Sequence, residues 1–383
     1  MARQGRGGLS AMTLTRWQGA VLGAGPRRRL PRLSAWRTED PVLRDRYDTD
    51  TLVYGAAWLA RGVLRLYAPP PLNLAPLLAR ARWSTASGPL PAPRVRHFKR
   101  YTTLDFPYPA PVAGVQMQTE GWTGEIPVVA EAPEAFAGRN VLYTMSQDND
   151  LDWLRDWVRY HHRAHGADAV LLADNRSTAY PPEAVLEALR ALPELRAAGV
   201  ISVPYRYGPS SAIVRRASAG RYLQSATANF ARDVWLGRAR AVLSCDIDEL
   251  VVSASGRSVF DVARAARWGL VTFPGFWRFC DPALAAPRHA DHILSRPDRA
   301  APCPSKYAYD PNGRLRGWSV MTHSFESVPR SWVSGAPDLW FAHCHGITTR
   351  WKSGREAEPA TRGTPDPAMA GALARGGLSA SPS

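Results

Sequence analysis

Lysine is nearly absent from this 383-residue chain. Only Lys99, Lys306 and Lys352 contribute to its 48 basic residues, so a formal charge of +15, set against 33 acidic residues, is carried almost wholly by arginine. A chain selected for phosphate contacts uses lysine as well and interleaves basic side chains with exposed aromatics on one face. An arginine excess beside 33 prolines reads instead as the codon bias of a GC-rich genome, and no nucleic-acid partner is expected. Acid is missing from residues 1–38, which hold eight arginines, so about half of the net charge is local to the N-terminus. Long apolar runs are missing too. Nothing approaches the roughly 20 residues of a membrane helix, and the apolar piece around residues 20–25 is too short and glycine-rich for a signal-peptide core. The four cysteines, Cys245, Cys280, Cys303 and Cys344, form no CxxC pair, which excludes a disulfide framework and points to reduced thiols. A cytoplasmic protein is expected, with a basic N-terminus suited to peripheral contact with an anionic membrane surface.

What is present is enough chain for a full hydrophobic core. Residues 1–47 lack periodicity and read as a basic, disordered arm. Within 48–139, Leu52, Ala56, Leu59, Val63 and Leu66 recur at helical spacing over 48–67, up to the stop at Pro69, Pro70 and Pro71. The stretch 86–133 reads as a proline-rich extended lead-in able to form a small β subdomain. The strongest order starts at Asn140. Val141–Met145 is a short strand, then Leu151, Leu154, Trp157, Val158 and His161 recur at helical spacing up to a stop at Gly166. Residues 169–173 form a buried strand, 182–198 a helix, 200–203 a strand, 215–238 a helix and 241–245 another strand. Apolar strands alternating with helices predict an α/β fold with a mixed, mostly parallel sheet flanked by helices. Residues 356–383 read as a disordered tail.

In open α/β sheets, ligands collect beyond the carboxyl ends of the strands. Two polar clusters sit at such ends, Asp174 to Ser177 and Asp246 to Glu249. In an extended segment the carboxylates of Asp246 and Asp248 face one side, and two buried anions need a counter-charge. Oxygen ligands suit Mn²⁺ or Mg²⁺. Lys306, Lys352 and Arg355 are candidates for binding a diphosphate. Asn175 and Ser177 have the alternative of stabilising a turn, and His161 and His162 read as packing or surface residues. His343-Cys344-His345 lacks the spacing of a zinc site. Phe273, Phe276, Trp277 and Phe279 either stack on a ligand or form core. Gly23-Ala24-Gly25 follows no strand and is not a dinucleotide fingerprint.

The run Asn149-Asp150, Leu154, Asp156-Trp157-Val158, Tyr160-His161, Gly166-Ala167-Asp168 and Leu171 to Thr178, followed by Leu243-Ser244-Cys245-Asp246-Ile247-Asp248-Glu249 and by Trp340 to Ile347 with Trp351, Lys352 and Arg355, resembles bacterial glycosyltransferases of the family 2 and family 92 type. These motifs span about residues 140–355. Asp150 and Asp156 stand where glutamate is usual, and both keep a carboxylate. The resemblance implies a GT-A fold over 140–355, a nucleotide-diphosphate sugar donor and a metal ion bridging its phosphates. Carried over, Asn149, Asp174 and Asn175 lie at the nucleotide, Asp246 near ribose and metal, Asp248 is the principal metal ligand, and His343 a third ligand, with His345 the alternative on the same face. It also implies an inverting transfer, which needs a carboxylate base; Asp281 and Glu326 are the candidates. The acceptor is then a saccharide or a lipid-linked glycan. Two rivals stand beside this: another nucleotide-sugar enzyme such as a nucleotidylyltransferase, whose glycine-rich phosphate loop has no counterpart in Ser146 to Asp150, and a basic, non-catalytic nucleic-acid-binding protein.

Overall fold

The computed structural model describes residues 11–23, 25–29, 45–209, 220–348 and 363–378. Its centre is a ten-stranded mixed sheet. Five strands run parallel in the spatial order Ala11–Arg16, Ala197–Ser202, Ala169–Asp174, Asn140–Ser146 and Ala241–Ser244. Beyond Ala241–Ser244 the sheet turns antiparallel through Cys303–Tyr309 and Leu270–Arg278. It then continues through Leu339–Cys344 to the edge strand Glu249–Ser253. Every residue of Ala169–Asp174 is buried, as the uninterrupted apolar run requires of a strand covered on both faces.

The helix Leu151–His165 starts where the Asp150 carboxylate accepts the Asp152 N–H, and ends at Gly166, whose φ of 74° needs no Cβ. Its buried Leu154, Trp157 and Val158 pack with Leu186 and Leu189 of the helix Pro182–Arg190 on one face of the sheet. The helix Leu223–Val234 covers the other face with Leu223, Ala226 and Phe230. The strand after Asn140–Ser146 in sequence lies on one flank, and Ala241–Ser244 lies on the other. Strand order therefore reverses there, opening a crevice at the carboxyl ends.

A second sheet of eight strands occupies residues 55–130, around its own core of Leu64, Leu66, Trp83, Leu104, Phe106 and Met117. This corrects the helix expected over 48–67. The segment forms Thr51–Val53, Gly55–Leu59 and Val63–Ala68, the last two joined by a three-residue turn closing at Gly62 with φ 77°. Residues 52–59 are apolar almost without a break, so a helical period can be drawn through them although none is imposed. The lead-in is strand-rich, as expected.

Four further boundaries differ from expectation. The arm is docked in part: Ala11–Arg16 adds a parallel strand to the large sheet. Arg28, 2% exposed, donates to the carbonyls of Pro70, Asp48 and Thr51 and pairs with Asp48. The tail carries a helix, Pro367–Arg375, capped by Asp366 and burying Met369, Ala372 and Leu373, while Asp366 pairs with Arg278 at 2.6 Å. The helix expected over 182–198 stops at Arg190, just ahead of Pro193, and the next strand begins at Ala197. Of the helix expected over 215–238, Leu223–Val234 is helical; residues 215–219 lie outside the described residues, as do Trp351, Lys352 and Arg355. Among the described residues, no helix is long and apolar enough to cross a membrane.

Candidate functional site

A cleft of about 830 Å³ opens beyond the parallel strands, lined by Asp148, Asn149, Asn175, Arg176, Tyr205 and Arg206 among others. Its wall is knitted by hydrogen bonds to backbone and hydroxyl groups. Asn149 is buried, its amide donating to Ser146 Oγ at 2.7 Å and its carbonyl accepting from Thr348 Oγ1 at 2.7 Å. Asn175 spends its amide on the carbonyls of Val203 and Tyr205, at 3.0 and 2.8 Å. Asp148, at φ 50°, accepts from the Thr178 and Ala179 amides. Asp174 departs from its expected place. It is 3% exposed, accepts from Ser177 Oγ at 2.5 Å and lines neither the cleft nor the cavities beside it. Burial raises its carboxyl above the usual range, with the Ser177 bonds working the other way. The turn-stabilising alternative thus describes Ser177 and the Asn175 amide.

The second cluster is charged. Asp246 to Glu249 form a turn, with the Glu249 N–H bonded to Asp246 O at 3.1 Å and the Asp246 N–H bonded to Glu249 Oε2 at 2.8 Å. The two aspartates therefore do not project together as strand neighbours, and each has its own partner. Asp246 Oδ2 meets Lys306 Nζ at 2.6 Å, and Asp248 Oδ2 meets His343 Nε2 at 3.0 Å. Glu249 joins both, 2.9 Å from Lys306 Nζ and 4.0 Å from His343 Nδ1. The set able to hold a metal is Asp248, Glu249 and His343, whose ligand atoms lie within 4.8 Å of one another. Among the described residues, Glu249 rather than Asp246 belongs to that set, although Lys306 pairs with both. Lys306, expected at a diphosphate, is a buried ion-pair partner.

The sequence placed Glu249 in the polar cluster and the acidic motif but gave it no role as a ligand. The signal was an acid opening an otherwise apolar strand, and it turns decisive with the register, since Glu249 pairs directly with His343 across strands. The same register answers which histidine is involved: His343 faces the acids, and His345 packs against Phe279 and Trp277. Trp277 stacks on His343 with ring centres 3.9 Å apart, while Phe273 and Phe279 are buried core.

The electrostatics follow from burial and pairing. Burial alone would discharge His343, but the Asp248 carboxylate, Cys303 and Glu249 push it up to about 9. Burial also opposes charge on Lys306, yet Asp246 and Glu249 hold it well above its ordinary value. Asp246 is lowered by Lys306 against the pull of burial. Burial lifts Glu249 to about 7, with Lys306 opposing and Asp246 adding to the rise. The cluster is thus balanced by its own cations. Two carboxylates and an imidazole also suit a hard divalent ion, which would have to displace the His343 proton.

A cavity of about 390 Å³ adjoins the cluster, lined by Asp246, Glu249, Trp277, Lys306, His323 and His343 among others. A narrow space bordered by Ser146, Asn149, Asn175, Asp246 and Ile247 lies between it and the larger cleft, and Tyr207 borders all three. His323 is a residue the sequence did not single out. Its Nδ1 lies 3.0 Å from Ser305 O; a carbonyl only accepts, so Nδ1 carries the proton and Nε2 the lone pair. The ring is exposed, and partial loss of its hydration, with Lys306 assisting, lowers it to about 4.

Neither expected base belongs to this site. Asp281 is exposed and caps the Ala283 amide at 2.9 Å. Glu326 accepts from the Lys99 amide at 2.8 Å, and neither lines these cavities. Asp156 forms a bidentate pair with Arg288 at 2.7 and 2.8 Å. The next residue, His289, bonds to Ile247 O at 2.7 Å, and His292 to His345 O at 2.7 Å. The segment 288–292 thereby ties the helix Leu151–His165 to the acidic turn and to the His343 strand end. His161 is a packing residue, bonded to Trp157 O and to the Val251 N–H. No family model matches the chain, and no curated protein matches it.

Proposed function

We propose that the chain is a GT-A-type, metal-dependent glycosyltransferase that moves a sugar, such as a hexose, from a nucleotide-diphosphate donor to a saccharide or lipid-linked glycan. The observation that carries this is the meeting of two cavities at Tyr207, one large and at the strand-order reversal, the other beside a buried acid–histidine cluster, with the narrow space bordered by Asp246 between them. The motifs from Asn149 to Ile347 supply the resemblance. The nucleoside occupies the larger cleft, beside Arg176, and the diphosphate extends into the narrow space bordered by Asp246. Asp248, Glu249 and His343 would hold Mn²⁺ or Mg²⁺, whose chemistry is to neutralise charge developing on the departing diphosphate. Lys306 keeps Asp246 and Glu249 in place without water. The acceptor lies in the smaller cavity, where the free Nε2 of His323 takes the hydroxyl proton in the role expected of a carboxylate. The diphosphate raises its basicity by offsetting Lys306.

The test is a panel of UDP-, GDP- and dTDP-sugars, scored by thermal stabilisation and donor hydrolysis with Mn²⁺ and with chelator. At least one donor is expected to stabilise the protein in the metal-dependent arm, and Asp248→Asn to remove that dependence while leaving the unliganded fold intact. No stabilisation by any donor under either condition overturns the assignment.

A further inference from the structure

A third cavity, of about 340 Å³, lies away from the cleft, between the second sheet and the helix Leu223–Val234. Strand alternation builds it. Arg94 and Arg96 share one face of their strand, and the register places Arg65, Asp105 and Arg94 in one row across three strands. Arg61, from the turn before Val63–Ala68, and Arg232 complete five guanidiniums against two carboxylates. Those carboxylates are already used. Asp105 accepts both Arg65 Nε and Nη2 at 2.7 Å and Arg96 Nη2 at 3.0 Å. Asp233 accepts Arg65 Nη1 at 2.8 Å, the Tyr67 hydroxyl at 2.7 Å and the Arg232 fork at 2.8 and 3.1 Å. Arg61 and Arg94 have no hydrogen bond or ion pair among the described residues, and the buried Nε of Arg96 has no partner either. An anchored pair network therefore holds a cavity with a surplus of three positive charges.

We propose that this cavity is a binding site for a phosphate or sulfate group. Guanidinium forks match the oxygens of such anions bidentately, and Arg65, fixed from both sides by Asp105 and Asp233, sets the floor without being free to turn away. A single concave site of this size takes one such group and its immediate neighbours, not the repeating phosphates of a duplex. Its position suggests what carries the group. Gln224 lines the smaller cavity near the start of the helix whose other end supplies Arg232 and Asp233, and nine residues of helix span roughly 13 Å. An extended glycan bearing an anionic substituent reaches both. Binding of the anion itself does not rest on the transferase assignment.

Titration calorimetry with inorganic phosphate, comparing the full chain with an Arg61→Ala/Arg94→Ala variant, tests the site. Both side chains are exposed and unpaired, so the variant is expected to melt with the parent and to bind phosphate about tenfold more weakly or worse. Competition then identifies the carrier. Displacement of phosphate by a sulfated oligosaccharide at lower concentration than by inorganic sulfate assigns a glycan-borne group, and equal potency assigns a free ion. Absence of phosphate binding to the parent, or equal binding by parent and variant, overturns the proposal, whatever the donor panel returns.

Discussion

The two walls of the central crevice are built on opposite principles. On the side of Asn140–Ser146 and Ala169–Asp174, Asn149, Asn175 and Asp148 satisfy one another's loops through short hydrogen bonds to backbone and hydroxyls. On the side of Asp246 to Glu249, the partners are ions, with Lys306 and His343 set against the buried Asp248 and Glu249 and the half-buried Asp246. The first wall is satisfied whether or not a ligand is present, and its shape is fixed by local loop chemistry. The second exists only as a balance of charges. Removing one member leaves another buried without compensation, and a new cation enters only by exchange with a proton or a neighbour.

The largest expected break in that contrast is Lys306→Met. With Glu249 left buried and unpaired and Asp246 half-buried beside it, chemical denaturation at pH 7 is expected to show a loss of about 3–5 kcal/mol. A loss below about 1 kcal/mol would show that the acids take up protons at little cost and that the charged wall is no charge balance. On the hydrogen-bonded wall, Asn175→Ala strands the Val203 and Tyr205 carbonyls and is expected to cost about 1–3 kcal/mol, independent of pH between 5 and 8. A pH-dependent loss would mean that the two walls are coupled.

The third prediction concerns histidines beneath both walls. Burial depresses His161 to about 3 and His165 to about 4, while the unfolded chain titrates near 6.5. The folded form binds protons less readily than the unfolded one, so stability is full above about pH 6.5 and declines as pH falls towards 4. At pH 5 each of these buried rings costs about 2 kcal/mol relative to pH 8. His165→Gln, judged by denaturant midpoints across that range, is expected to flatten the decline. An unchanged slope would assign the acid sensitivity elsewhere.

Local signals made much of this architecture legible. Leu154, Trp157 and Val158 at helical spacing, closed by Gly166, predicted the helix Leu151–His165 almost to the residue, because the cap and the period agree. The strands ending at Ser146 and Asp174 were equally plain. What stayed hidden depended on pairing between distant segments. Residues 52–59 are so uniformly apolar that only the partner Val63–Ala68 decides their form, and the Arg28 guanidinium is a free charge until Asp48 and the Thr51 carbonyl enclose it. At the site, the acidic motif was visible, but its counter-charges were not. Lys306 stands 60 positions from Asp246, and no local pattern tells that an ammonium rather than a metal sits beside that carboxylate.

The parallel edge strand Ala11–Arg16 has a consequence in time. Its register partner among the described residues, Ala197–Ser202, is made about 190 residues later, which at roughly 5–20 residues per second is an interval of roughly 10–40 s. During that interval the three strands ending at Ser146, Asp174 and Ser202 are synthesised in order, each beside the last. Ala11–Arg16 is thus placed in the sheet only after the three strands ending at Ser146, Asp174 and Ser202 have been made.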